Sequence, residues 1–164
     1  MTIREKYNII DPKYYNCIKD LIETEVVQEM EKYIQHGSTT TLDHCISVSY
    51  LAYRLARKLD LDYISVARAG LLHDFYLYDW HELPKEKKLF KKHGFTHPDK
   101  ALENASKYFE LNEVEKDIIV KHMWPLTLTK IPKYKETTLV SFADKVISSK
   151  ETVSPYLVEL KNMI

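Results

Sequence analysis

Glycine is scarce in this chain, with 3 in 164 residues beside 6 prolines. Tight β-hairpins rely on residues that accept positive φ, so an all-β fold would lack its turns. Helices need few such residues, and apolar side chains recur at helical spacing along most of the sequence. The expected fold is all-α: one domain over residues 1–164, built as a compact bundle of five to seven helices.

Within residues 19–35, Leu21, Val26 or Val27, Met30 and Ile34 form a stripe that predicts an N-terminal helix, ended by Gly37. Ser38 to Thr41 offer N-caps for a second helix over Leu42–Leu59, with Ile46, Leu51, Leu55 and Leu59 on its expected buried side. Asp62 can cap a third, from Tyr63 to about Asp74, whose Ala67, Ala69, Gly70, Leu71 and Leu72 place it mid-bundle. The stripe then fails from Phe75 to Phe95, which reads as a mobile connection carrying one short helix. Pro98 suits the first turn of a fourth helix ending near Phe109. Asn112 and Glu115 have capping-box spacing for a fifth, stopped by Pro125. A sixth covers Thr137 to about Lys150, and Pro155 marks the start of a short seventh.

Charge excludes some functions. Lys plus Arg and Asp plus Glu both number 24, so no net field attracts nucleic acid or an acidic membrane surface. No apolar run reaches the ~18 residues of a membrane span, and the first ten residues lack a signal-peptide layout. Cys17 and Cys45 make neither a disulfide framework nor a CxxC pair. The expectation is a cytoplasmic protein, either monomer or homodimer.

The chemistry lies in an ordered set: His44, His73-Asp74, His97, His122 and Asp144. Imidazole and carboxylate are the ligand types for divalent iron, manganese, nickel, cobalt or zinc. Each member sits on its own predicted helix, near a terminus or on an apolar stretch. Asp144 stands among Phe142, Ala143, Val146 and Ile147, where an unpaired carboxylate is costly to bury and a metal would relieve the cost. His36, His81 and His93 fall in predicted loops and are read as ordinary histidines.

His44, the phrase ARAGLLHDF around His73-Asp74, and Asp144 in SFADKV resemble the HD-domain superfamily of metal-dependent phosphohydrolases. The likeness covers roughly residues 40–150. It implies the helical HD bundle and a site in which His44, His73, Asp74 and Asp144 bind one metal. His97 and His122 would supply a second, with Asp74 bridging. With both added histidines the pattern is similar to the bacterial enzymes that hydrolyse diadenosine tetraphosphate symmetrically. It departs from them where related dinuclear enzymes carry a lysine about three residues beyond the Asp; here Leu77 stands there. Phe75, Tyr76, Leu77 and Tyr78 do not match the acidic residues of alarmone hydrolases and 5′-nucleotidases, and no GYP tripeptide follows.

The resemblance therefore implies a phosphohydrolase acting on a nucleotide or other small phosphoester through a metal-activated hydroxide. Two divalent ions are expected, iron or manganese first, with nickel, cobalt or zinc as alternatives. Asp74 would orient the nucleophile, and Lys145, directly after a ligand, would meet the phosphate. Lys91 and Lys92 are the next substrate-binding candidates, whereas Lys85, Lys87 and Lys88 read as a solvated charge run. Two other readings share the ligand set: a mixed-valence di-iron oxygenase resembling inositol oxygenase, and a non-catalytic nucleotide or metal sensor.

Overall fold

The computed structural model describes residues 1–82 and 93–162, with side chains at 1–82 and 94–153. The elements run α1 (Ile3–Lys6), α2 (Pro12–Ile22), α3 (Glu25–Gln28), a 3-10 turn (Glu29–Lys32), β1 (Ile34–His36), β2 (Thr39–Thr40), α4 (Thr41–Lys58) and α5 (Tyr63–Leu72). A second 3-10 turn (Trp80–Glu82), α6 (His93–Tyr108), α7 (Glu113–Lys121) and α8 (Lys135–Asn162) complete them. The all-α expectation holds apart from the two short strands.

The N-terminal helix expected over 19–35 is not continuous. Asp11 accepts the Lys13 and Tyr14 amides and Pro12 opens α2, so the helix begins earlier than its apolar stripe. Thr24 then caps α3 through the Val27 amide, and the chain continues as a 3-10 turn into β1. Leu21, Val27 and Met30 are buried as the stripe requires, but Ile34 is on a strand and exposed. Gly37, at φ 58°, makes the turn that pairs Ile34 with Thr40 and His36 with Thr39. This hairpin was not foreseen.

α4 and α5 form the centre. The predicted buried side of α4 is displaced: Cys45, Val48, Ser49, Ala52, Tyr53 and Ala56 are buried, whereas Leu59 is exposed and Ile46, Leu51 and Leu55 are partly so. The reason is close approach rather than hydrophobicity. A Cβ on Gly70 would lie 2.9 Å from the Ser49 Cα, so small residues on α4 and α5 set their spacing. The Ser49 hydroxyl donates to the Ala67 carbonyl (2.6 Å) and accepts from Tyr14 of α2 (2.9 Å). Around this pair, Arg68 joins α2 and α7 to α5 through Asp20 (2.6 Å) and Glu115 (2.7 Å).

Three further expectations change. α6 starts at His93, so Pro98 lies inside the helix, where its missing N–H gives up one bond of the second turn. The sixth and seventh helices are one, because α8 runs unbroken from Lys135 to Asn162. The expected mobile connection starts as core, with Phe75 and Tyr76 buried. Its residues 83–92 lie outside the described residues.

Candidate metal centre

His73 and Asp74 follow the last turn of α5, whose side chains are mostly buried in the bundle. His44 stands in the first turn of α4, which Thr40 caps through the Asp43 amide (3.1 Å). His97 comes from the second turn of α6, His122 caps the C-terminus of α7, and Asp144 lies mid-α8. All six are buried, and the fold brings all six together.

Asp74 is the hub. Its Oδ1 lies 3.1 Å from His97 Nε2 and 3.6 Å from His122 Nε2. Its Oδ2 lies 3.4 Å from His73 Nε2 and 3.9 Å from His44 Nε2. Asp144 Oδ1 closes the second group, 3.2 Å from His44 Nε2 and 3.8 Å from His73 Nε2. One carboxylate thus faces two sets of imidazoles, one through each oxygen.

The histidines are oriented from behind. His73 Nδ1 donates to the Gly70 carbonyl and His122 Nδ1 to the Ile119 carbonyl, both at 2.8 Å. Each therefore turns its Nε2 lone pair inward when neutral. His44 Nδ1 instead meets Glu151 Oε2 at 2.8 Å. His97 Nε2 and His122 Nε2 approach to 2.9 Å, a separation that one shared proton or one shared ion accounts for.

The centre is unfinished as a hydrogen-bonding network. His73 Nε2 and Asp74 Oδ1 are buried without a well-aligned hydrogen bond among the described residues; His97 is near Oδ1 in distance, not in alignment. Buried polar atoms of native proteins are nearly always satisfied, so such orphans point to a missing partner. The four nitrogens and two carboxylates suit a hard-to-borderline divalent cation. The buried His/Asp cluster fits metal binding.

Electrostatics divide the histidines. Burial opposes charge on His44, but hydrogen bonds to Asp144 and Glu151 outweigh it and raise its pKa to about 10. Burial likewise opposes charge on His73, and Asp74 overcomes it. His122 has burial, His73 and His97 all against its proton, and falls to about 3. Asp74 stays ionised despite burial because His73 and His97 lie against it, and Asp144 does so through His44 and His73.

A cavity of about 570 Å³ opens onto the centre, lined by His36, Trp80, Met123, Leu126, Lys145 and the ligand candidates. Lys145 Nζ donates to Ser141 Oγ (2.9 Å) and to the Ser141 carbonyl (3.2 Å), and burial lowers its pKa. Lys91 and Lys92 lie outside the described residues. The apolar surroundings expected for Asp144 are found in part: Ala143 is buried and Ile147 packs on the core, but Phe142 and Val146 are 56% and 40% exposed, and Asp144 faces His44.

The sequence does not single out Gln35 or Glu151, and His36 departs from its expected place in a loop. Gln35 on β1 donates to Asp74 Oδ2 (2.6 Å), and its carbonyl accepts from the Tyr76 and Thr41 hydroxyls. That pairing fixes which end of the amide meets the carboxylate. His36, read as a loop histidine, is half-buried on the cavity wall with its ring 5.7 Å from that of His44. His81 keeps the ordinary reading, exposed beside Asp79 at 3.0 Å. Glu151 had a signal: it follows Asp144 by two helical turns, and Ser148 between them donates to Asp144 (3.1 Å).

A family model described as HD domain matches residues 41–148, about two thirds of the chain, including all six ligand candidates. The chain belongs to the HD domain family. This HD domain chain is 31% identical over 131 residues to a protein named Ribonuclease Y from Aquifex aeolicus (strain VF5), covering 77% of the chain. It is 35% identical over 77 residues to a protein named Putative phosphohydrolase YueE from Bacillus subtilis (strain 168), covering 47% of the chain. The matches span 21% and 42% of those relatives' own lengths. No solved structure matches the chain. No helix among the described residues is long and apolar enough to cross a membrane.

Proposed function

We propose that this HD domain chain is a phosphohydrolase that cleaves a nucleotide or other small phosphoester at a centre of two divalent ions, iron or manganese first. The observation that supports this reading is the division of Asp74, with Oδ1 toward His97 and His122 and Oδ2 toward His73 and His44. When bound, such ions supply a hydroxide nucleophile at neutral pH and counter-charge for the phosphoryl oxygens.

The chain's own residues do the rest. His44, His73 and Asp144 would hold one ion, His97 and His122 the other, and Asp74 both. Gln35, itself held by Tyr76 and Thr41, keeps the Asp74 carboxylate from rotating. Lys145 lines the same cavity as Asp144 and would meet the substrate phosphate there. Trp80 and Met123 give the same cavity an apolar side for the remainder of the substrate. The relative named a putative phosphohydrolase supports the reaction class. The even balance of 24 basic and 24 acidic residues favours a small substrate over nucleic acid.

The test compares anaerobic turnover by manganese-loaded protein with aerobic turnover by iron-loaded protein on a panel of nucleotides, diadenosine tetraphosphate, phosphomonoesters and a short RNA. Phosphate or nucleotide release from a small ester is expected. Turnover that needs oxygen and iron would replace this reading with the oxygenase. Cleavage of the RNA alone would replace the substrate class, and nucleotide binding with no turnover under either condition would make the chain a sensor.

A further inference from the structure

We infer that the two halves of the metal centre are unequal, and that Glu151, by gripping His44 Nδ1, makes the half built from His44, His73 and Asp144 the tighter one. This rests on the metal reading proposed above and concerns how that centre fills.

Two of the histidines are backed by neutral groups of their own helix ends: Gly70 O behind His73 and Ile119 O behind His122. His44 is backed across the bundle by a full carboxylate at the same 2.8 Å. A charged acceptor makes the stronger hydrogen bond and leaves the far nitrogen a better donor to a cation. His44 is fully buried and the Glu151 side chain is 12% exposed, so solvent screens this contact little.

The charge count points the same way. The His44 half has the whole of Asp144, a share of Asp74, and Glu151 immediately behind. The His97 half has its share of Asp74 and two imidazoles. Cations follow carboxylates, so the first ion enters beside Asp144. Beside the share of Asp74, helix α8 supplies the other two acidic groups of that half, Asp144 directly and Glu151 through His44, two turns apart. Ser148 lies between them and steadies Asp144. Glu151 is thus a positioning residue, acting on metal through His44.

The experiment titrates metal-free protein with manganese, following the free hexaaquo ion by electron paramagnetic resonance, with circular dichroism recorded on every variant. The wild-type chain should bind two ions in resolved steps. Glu151→Gln keeps the shape and an acceptor oxygen but loses the charge, and should weaken the tighter step about 10–100-fold while leaving the weaker one. His122→Ala should delete the weaker step only. Glu151→Asp, which keeps the charge, should fall between wild type and Glu151→Gln. Two equal steps in the wild type, or an unmoved tight step in Glu151→Gln, would overturn the inequality with the metal centre intact. Three ions per chain would make Glu151 a ligand and overturn its positioning role. No binding at all would remove the metal reading itself, and this inference with it.

Discussion

Two buried carboxylates, Asp74 and Asp117, show what separates a site from a scaffold in this bundle. Asp117 of α7 is finished: its Oδ2 accepts the Lys133 amide (3.0 Å) and the Thr137 hydroxyl (2.6 Å), and the Lys121 ammonium lies against Oδ1. Burial opposes its charge, and those three partners hold the pKa below the usual carboxylate range. Asp74 is equally hidden but is met mainly by imidazoles, and its Oδ1 has no aligned donor among the described residues. The first carboxylate fastens α7 to the start of α8. The second is held by groups that a cation would complete. A buried charge with a full set of donors stabilises a fold; one left short of donors is available for function.

The largest expected effect breaks the hub. Asp74→Asn should reduce turnover more than ~100-fold, beyond the ~10–100-fold typical of residues that only support a ligand. Metal content should fall with it while helical circular dichroism stays. Full activity in that variant would end the proposed mechanism.

Metal removal comes next and applies to one carboxylate only. With free ion at about 100 times Kd, chelation should cost the wild type about 2.7 kcal/mol of stability and leave Asp74→Asn unmoved. The pH dependence of the His44 contribution should differ in sign between the two states, while His122, Asp74 and Asp144 of the metal-free chain, whose pKa values are lowered, lose their contributions in acid. In the metal-free chain the His44 pKa is raised from 6.5 to about 10, so its contribution is complete below 6.5 and is lost as pH rises through about 10. In the loaded chain the same proton competes with metal, so loading should release protons at neutral pH and stability should fall in acid. Thermal melts across pH with and without chelator give both curves. Superimposable curves would show that no metal is held here.

Asp117→Asn is the matching break in the finished network. It should cost about 1–3 kcal/mol in urea unfolding, through loss of charge-assisted bonds from Lys121 and Thr137, with metal content unchanged. A drop in metal content would mean the two carboxylates are not separable. The smallest effect is at the N-terminus of the same helix. Asn112 caps α7 through the Glu115 amide (2.8 Å), with Glu115 returning a bond to the Asn112 amide. Asn112→Ala should cost about 1 kcal/mol and leave the site alone.

Much of this was legible beforehand, for reasons particular to each segment. α5 was read almost to the residue because Asp62 caps it and its small and apolar side chains point every way into the core. α7 was read because Asn112 and Glu115 form a local capping box. The bounds of α4 follow from its caps, but its buried side does not follow from its large aliphatics, of which Leu59 is exposed and Leu51 and Leu55 are half-buried. Ser49 is buried against Gly70, whose missing side chain admits that close approach, which one helix's periodicity cannot show.

The same division runs through the metal centre. Residue chemistry and family likeness named His44, His73, Asp74, His97, His122 and Asp144 from the sequence alone, because ligand types and their helical placement are properties of the chain. What only the tertiary structure decided is how they face one another and what holds them there. Asp74 splitting its oxygens, the β1–β2 hairpin bringing Gln35 to Asp74 across 39 positions, and Glu151 reaching His44 across 107 all depend on packing. Capping and periodicity act over a few residues and can be read locally. A hydrogen bond between distant helices exists only once the bundle between them has closed.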